Sequence, residues 1–243
     1  MKFILHYKYV LLFALLGLFS SCEKDLCIHG SGPIVNQTLD IQELNGFDLF
    51  GSFNVILKNG STQKISAIGQ QNIIDQLSND VNNGIWRVAL NEGCYDDYSL
   101  TIEIEVPNIN EFGISGSGSI QIVDEFSALN NLNVFNSGTG EIFTNDSLLI
   151  STFLNIDISG SGNINLKGKV PSQSITISGS GDYLGFGIES NTCVVSIPGS
   201  GNCDVNAINT LDVFLSGSGS VYYHGSPIIN SNITGSGTII NSN

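Results

Sequence analysis

Positive charge is scarce in this chain of 243 residues. Lysine and arginine together number 8 against 22 aspartates and glutamates, Arg87 is the sole arginine, and the formal net charge is −14. A field of that sign repels phosphate backbones and anionic headgroups, which excludes nucleic acid as a partner. Polysaccharide lyases built on β-helices set Arg and Lys beside carboxylates in a groove, and this chain is poorly stocked for that chemistry. None of the five cysteines forms a Cys-x-x-Cys pair, so a structural zinc site lacks its usual ligand frame. The three histidines, His6, His29 and His224, have no helical metal-binding spacing. The P-loop pattern Gly-x-x-x-x-Gly-Lys-Ser/Thr and the nucleophile-elbow pattern Gly-x-Ser-x-Gly are both absent. The expected catalytic, cofactor and metal sets are therefore empty. No apolar run is long enough for a comfortable membrane span, Tyr9 to Phe19 included.

Glycine, at 28 positions, is what the chain has instead. Gly116-Ser117-Gly118, Gly138-Thr139-Gly140, Gly160-Ser161-Gly162, Gly179-Ser180-Gly181, Gly199-Ser200-Gly201, Gly217-Ser218-Gly219 and Gly235-Ser236-Gly237 recur at spacings of 22, 22, 19, 20, 18 and 18 residues. A period near twenty marks a repeat architecture. Two places before each first glycine stand Ile114, Asn136, Ile158, Ile177, Ile197, Leu215 and Ile233, apolar except at Asn136. Four places after it stand Ile120, Ile142, Ile164, Tyr183, Cys203, Val221 and Ile239. Segments such as Asn155-Ile156-Asp157-Ile158-Ser159 alternate apolar and polar, the period of a strand. Each repeat therefore reads as strand, tight corner, strand. The glycines are expected to permit positive φ at the bend and to let backbones approach closely. Coils stacked in this way form a parallel β-solenoid, and seven of them at about 4.8 Å each give a rod on the order of 30 Å long. A calcium-binding glycine repeat needs an Asp in every unit, and only Asp182 follows one of these motifs.

Residues 1–22 carry the sharpest local signal. Lys2 and Lys8 precede the apolar run, which ends in Leu18-Phe19-Ser20-Ser21-Cys22. Small residues before a cysteine resemble a bacterial lipobox, with residues 1–21 as signal peptide and Cys22 as the lipid-bearing mature N-terminus. An ordinary secretory signal with a coincidental cysteine, or a short transmembrane anchor, is the competing reading. Loss of Lys2 and Lys8 would take the formal charge from −14 to −16. Glu23-Lys24-Asp25 resembles the surface-export signal of Bacteroidetes lipoproteins. The expected location is the outer membrane, on its periplasmic or its cell-surface side, with the membrane reached through the lipid.

The mature chain then divides into a tether at 22–29 and one solenoid domain at 30–243. Gly30-Ser31-Gly32 and Gly51-Ser52-Phe53 have the same apolar flanks, so one or two coils are expected ahead of the main series. Between them and Gly116, a block at about 60–110 predicts a strand over 63–68, a short helix over 70–77, a turn at Asn82-Asn83-Gly84, and strands over 85–90 and 100–106. Such a block would cap one end of the solenoid. Cys193 and Cys203 fall on apolar repeat positions and fit as small core residues. Pairing of Cys27 with Cys94 is conceivable in an exported chain, but sequence alone does not fix it.

One loop offers candidate ligand chemistry. Glu92, Tyr95, Asp96, Asp97 and Tyr98 put carboxylates beside aromatics, a combination that suits calcium, a sugar ring or glycoside chemistry; a solvated cap loop accounts for the same residues.

The run Phe47-Asp48-Leu49-Phe50-Gly51-Ser52-Phe53-Asn54-Val55-Ile56-Leu57, with the Gly-Ser-Gly-x-Ile series after it, resembles the DUF2807 family, the "putative auto-transporter adhesin, head GIN domain" proteins, over about residues 40–240. The resemblance implies a right-handed β-helix-like solenoid in an exported, often lipidated protein of Bacteroidetes. It carries no catalytic residues to this chain. A stiff rod with long flat faces and no convergent acid/base set points to a non-catalytic envelope lipoprotein, an adhesive or structural surface module, with glycans or surface proteins as the expected partners. The alternative is a carbohydrate-binding or polysaccharide-degrading β-helix using the 92–98 loop.

Overall fold

The computed structural model describes residues 27–243, and Cys22 with its signal segment lies outside them. Of the described residues 61% are in strands and almost none in helix, and they wind into a β-solenoid of about seven turns. Successive coils pair in parallel and nearly in phase. In one wall Leu132, Leu154, Gln173, Cys193, Leu211 and Ile229 lie in register from coil to coil, as do Val134, Ile156, Ile175, Val195, Val213 and Ser231. In the wall after the corner Val55, Ile120, Ile142, Ile164, Tyr183, Cys203, Val221 and Ile239 form one column. Alternation along each strand turns these residues inward, where most are fully buried. Cys193 and Cys203 sit among them as free thiols, and burial pushes both thiols up and away from the reactive thiolate form.

The corners show why glycine recurs. None of the fourteen corner glycines has a positive φ; among the described residues that conformation belongs to Gly32, Gly84, Gly168 and Gly225, with Asn83 and Asp97. The expectation of left-handed corners is therefore corrected, and close approach is the operating reason. A Cβ on Gly179 would stand 2.0 Å from the Gly160 carbonyl oxygen, and one on Gly181 2.0 Å from that of Gly162. The same conflict with the preceding corner recurs from Gly116 and Gly118, against Gly51 and Phe53, through Gly140, Gly162 and Gly201 to Gly235 and Gly237, against Gly217 and Gly219. The first glycine's carbonyl accepts from the serine amide of the next coil: Ser161 to Gly138 at 2.9 Å, Ser180 to Gly160 at 3.0 Å, Ser200 to Gly179 at 2.9 Å, Ser218 to Gly199 at 3.0 Å. The middle serines face solvent in a single file.

Asn136 breaks the apolar pattern without breaking the stack. It is fully buried, donates from Nδ2 to the Gly140 carbonyl at 2.8 Å and accepts from the Gly138 amide at 3.2 Å. Its side chain thus closes the Gly138-Thr139-Gly140 corner from within, and its polar atoms are satisfied. A second buried polar set links Gln173, Ser190 and Tyr183, through Gln173 Nε2 to Ser190 Oγ at 2.9 Å and Tyr183 OH to Gln173 Oε1 at 3.2 Å.

Of the two glycine motifs ahead of Gly116, only Gly51-Ser52-Phe53 is a corner of the stack. Gly46–Leu49 and Asn54–Asn59 pair in parallel with Glu111–Ile114 and Ser119–Ile122, which puts Gly51-Ser52-Phe53 under the Gly116 corner. Gly30 is no corner, because Ile28–His29 pairs with Tyr95–Asp96 and Ile34–Leu39 runs antiparallel to Lys64–Gln70. The 60–110 block is itself half solenoid. Ile85–Val88 and Leu100–Val106 stack in parallel on Gly46–Leu49 and Asn54–Asn59. Lys64–Gln70 then folds antiparallel onto Leu100–Val106, and the helix Gln71–Ile74 buries Ile73 and Ile74. Asn83 and Gly84, at φ 54° and 79°, make the two-residue turn between Val81–Asn82 and Ile85–Val88.

Candidate functional site

The 92–98 loop occupies the place of a corner. It joins Ile85–Val88 to Leu100–Val106 in the coil lying on the Gly51-Ser52-Phe53 corner, so it crowns the glycine column. A glycine corner would turn the chain in three residues; here a longer excursion leaves Tyr95 and Tyr98 half-buried against the edge of the core and Asp97 exposed. Tyr98 OH lies 3.1 Å from Ser52 Oγ, the first exposed hydroxyl of that column. Tyr95 packs edge-on to Tyr98 with centroids 6.4 Å apart and donates its hydroxyl to the Asn91 carbonyl at 2.9 Å. Beside them is a polar cleft of about 320 Å³, lined by Ser52, Asn54, Asp97, Tyr98, Ser99 and Thr101 among others.

A disulfide between Cys27 and Cys94 clamps the loop to the start of the domain. It fixes the register in which Ile28 faces Tyr95 and His29 faces Asp96. His29 Nδ1 and Asp96 Oδ1 are in direct contact, and donor atoms of His29, Asp96 and Asp97 gather within 4.8 Å of one another. Three exposed donors of this kind are the only group among the described residues with metal-ligand proximity. The His29–Asp96 contact accounts for the pair without an ion. Glu92 is exposed and is not part of this grouping.

Of the loop residues singled out by sequence, Tyr95, Asp96, Asp97 and Tyr98 converge. Sequence reasoning missed His29 and Ser52, which lie far off in the chain; the unassigned pair Cys27 and Cys94 was the signal that could have brought His29 to the loop. It also missed an outward patch near the other end. There Phe186 stacks on His224 with centroids 4.0 Å apart, and Asp204 stands beside Tyr222 in the adjacent strand. Burial raises the Asp204 carboxyl above its ordinary range, the neighbouring Asp182 adds to this, and His224 opposes it. On the opposite wall burial likewise raises Asp48, against the pull of Ser115 and Arg87, while Arg87 lies over the Phe50 ring at 4.3 Å.

Parallel coils on a glycine corner column, with a disulfide-clamped loop in the end coil and antiparallel strands continuing from it, define a β-solenoid with a capping insertion. The chain belongs to the DUF2807 family, described as "Putative auto-transporter adhesin, head GIN domain", whose match spans residues 43–227. The fold is shared by a putative adhesin from Bacteroides fragilis, 23% identical with TM-score 0.82, the match covering 88% of this chain and 99% of that one. A putative lipid binding protein from Parabacteroides distasonis is 21% identical with TM-score 0.73, over 89% and 99% of the two chains. A putative adhesin from Parabacteroides merdae is 19% identical with TM-score 0.67, over 90% and 100%. No functionally curated protein matches the sequence. By family and fold the protein is adhesin-like, a kind found at surfaces or exported. No helix among the described residues is long and apolar enough to cross a membrane.

Proposed function

We propose that the protein is a non-catalytic envelope lipoprotein that adheres through its flat solenoid wall to neutral glycans. The observation that carries this reading is a set of outward columns held in register. Asn133, Asn155 and Ser174 form one, and Asp157, Thr176 and Ser196 the next, all on the strands ahead of the corners. Hydroxyls, amides and an occasional carboxylate thus repeat at the coil spacing on a stiff surface, so a sugar chain laid along it meets the same donors and acceptors again and again. Ordering long cationic side chains is not required, and anionic polymers are repelled. A glycan array probed with the purified protein tests this. Retention of neutral glycans, weakened roughly tenfold by Thr176→Arg with Asn155→Arg, is the expected result. Retention that survives those changes but is lost in Asp97→Ala with Tyr98→Ala would transfer the function to the loop cleft, the reading that the 320 Å³ cavity beside Tyr98 favours.

Anchoring through Cys22 belongs to the same proposal. Mass spectrometry of the mature N-terminus should find the acylated cysteine, and Cys22→Ala should leave the membrane fraction. A Cys22→Ala protein still in that fraction would contradict the anchor.

A further inference from the structure

The outward column of Asp157, Thr176 and Ser196 is bounded by a phenylalanine on each side. Phe135 pairs with Asp157 in the coil before it, and Phe214 with Ser196 in the coil after it. Both stand at outward positions, Phe135 between the buried Val134 and Asn136, Phe214 between the buried Val213 and Leu215. The two rings are set differently, yet each offers an open face. Phe135 opposes Gly113 of the preceding coil, and a Cβ on Gly113 would stand 2.5 Å from its Cγ, Cδ1 and Cδ2 alike. A point equidistant from these three atoms lies on the axis through the centre of the ring. The ring therefore lies face down on the glycine, which is buried beneath it. The exposure that Phe135 keeps belongs to its opposite face and its rim. Phe214 is 49% exposed between Ser196 and Asn232, side chains too short to cover it.

Four strand spacings separate the two rings along the column, about 19 Å at about 4.8 Å each. An extended hexose chain advances by nearly the same step per ring, so a chain of about five rings reaches from one phenyl to the other. An aromatic face accepts the flat C–H face of a pyranose whose hydroxyls are all equatorial, because such a ring is apolar above and below and polar only at its rim. The rim hydroxyls of the rings between the platforms then meet Asp157, Thr176 and Ser196. A β-1,4-linked chain of such sugars is straight and flat enough to touch both platforms, whereas an α-1,4-linked chain coils away from a flat wall. Charge agrees, since a net charge of −14 gives an anionic polymer no attraction. An apolar peptide would have to cover the carboxylate and hydroxyls between the rings, which costs their hydration. Resting on the reading of this wall as the glycan-binding surface, we infer that Phe135 and Phe214 are its two stacking platforms and that they restrict it to flat, neutral, β-linked glycans of about five rings or more.

Titration calorimetry of the purified protein with the cello-oligosaccharide series, from the dimer to the hexamer, tests this, with maltohexaose as the coiled isomer. Cellohexaose should bind roughly tenfold or more tighter than cellotriose, which can rest on only one platform, and maltohexaose should bind no better than cellotriose. Phe214→Ala, at a half-exposed side chain, should bring cellohexaose down to the cellotriose level. Phe135→Leu should do the same: leucine still covers Gly113 but has no flat face to offer. Phe214→Tyr, which keeps the ring, should leave the affinity unchanged. Circular dichroism confirms that each variant is folded. Cellohexaose held no more tightly than cellotriose, or an affinity indifferent to both Phe214→Ala and Phe135→Leu, overturns the inference. If array glycans are then still lost in Thr176→Arg with Asn155→Arg, the wall remains the binding surface and only the platforms fall. A protein that retains no neutral glycan at all removes the wall reading and this inference with it.

Discussion

Gly179→Val should split the corner column at its midpoint. The Cβ that any residue other than glycine brings would lie 2.0 Å from the Gly160 carbonyl oxygen and 2.5 Å from that of Ser159. Both obstacles are backbone, so neither can rotate away. Relief requires the two coils to part at the corner, which stretches the bonds from Ser180 and Gly181 to the Gly160 carbonyl, now 3.0 and 3.2 Å. Local distortion and two weakened hydrogen bonds together cost on the order of 3–5 kcal/mol. Because the conflict begins at Cβ and the backbone has no positive φ there, Gly179→Ala should carry much of the same cost. Gly32→Ala makes the contrast: that glycine has φ 82° and nothing within 4 Å, so only the conformational penalty of about 1 kcal/mol applies. Urea unfolding ranks the three. Since solenoid energetics run between neighbouring coils, hydrogen exchange in Gly179→Val should accelerate around residues 158–201 and stay slow in 100–122. A Gly179→Val protein with the wild-type urea midpoint would remove the steric account of the corners.

Reduction of the Cys27–Cys94 bond should loosen the capped end while the far coils hold. The bond closes a loop with a sequence separation of 67 residues. By the chain-entropy relation such a closure is worth about 4 kcal/mol, all of it falling on the segment the loop encloses. That segment contains the cap strands and helix and the first coils, and the short pairing of Ile28–His29 with Tyr95–Asp96 depends on it most directly. Cys94 is exposed, so a mild reductant reaches the bond. Exchange measured with and without reductant should show the amides of Ile28 and Gly30, which donate to the Cys94 and Asp96 carbonyls, opening first and the cap unfolding at lower urea. The 183–224 coils should not respond. Protection at Ile28 and Gly30 that is unchanged by full reduction would mean that the strands alone hold the loop.

The glycine column was legible because its cause is local and repeated. A three-residue motif with apolar residues at fixed offsets is visible without knowing which segment lies above which. The physical reason for the glycines was not legible, since a demand for positive φ and a demand for close approach select the same residue. Only the stacking of Gly179 on Gly160 separates them. Gly30-Ser31-Gly32 misled for the complementary reason: the motif is present, but the strand that follows it, Ile34–Leu39, runs antiparallel to its neighbour and the motif stacks on no other corner. Asn136 read as a failure of the pattern because its partners, the Gly138 amide and Gly140 carbonyl, are backbone groups that leave no trace in composition. At the loop, Tyr95, Asp96, Asp97 and Tyr98 could be picked out as neighbours in sequence. His29 could not, because it reaches Asp96 through the disulfide and a two-residue strand pairing, and Ser52 reaches Tyr98 only through coil stacking.

The exposed Gly-Ser-Gly corners are bonded layers of a stack and not free surface turns. Hydrogen exchange at the serine amides of Ser161, Ser180, Ser200 and Ser218 in the unmodified protein tests this most directly. Each side chain faces solvent, yet each amide donates to the glycine carbonyl of the preceding corner at 2.9–3.0 Å. These four amides should exchange as slowly as those of the flanking buried strands. Exchange at the rate of an unstructured peptide would contradict the stacking.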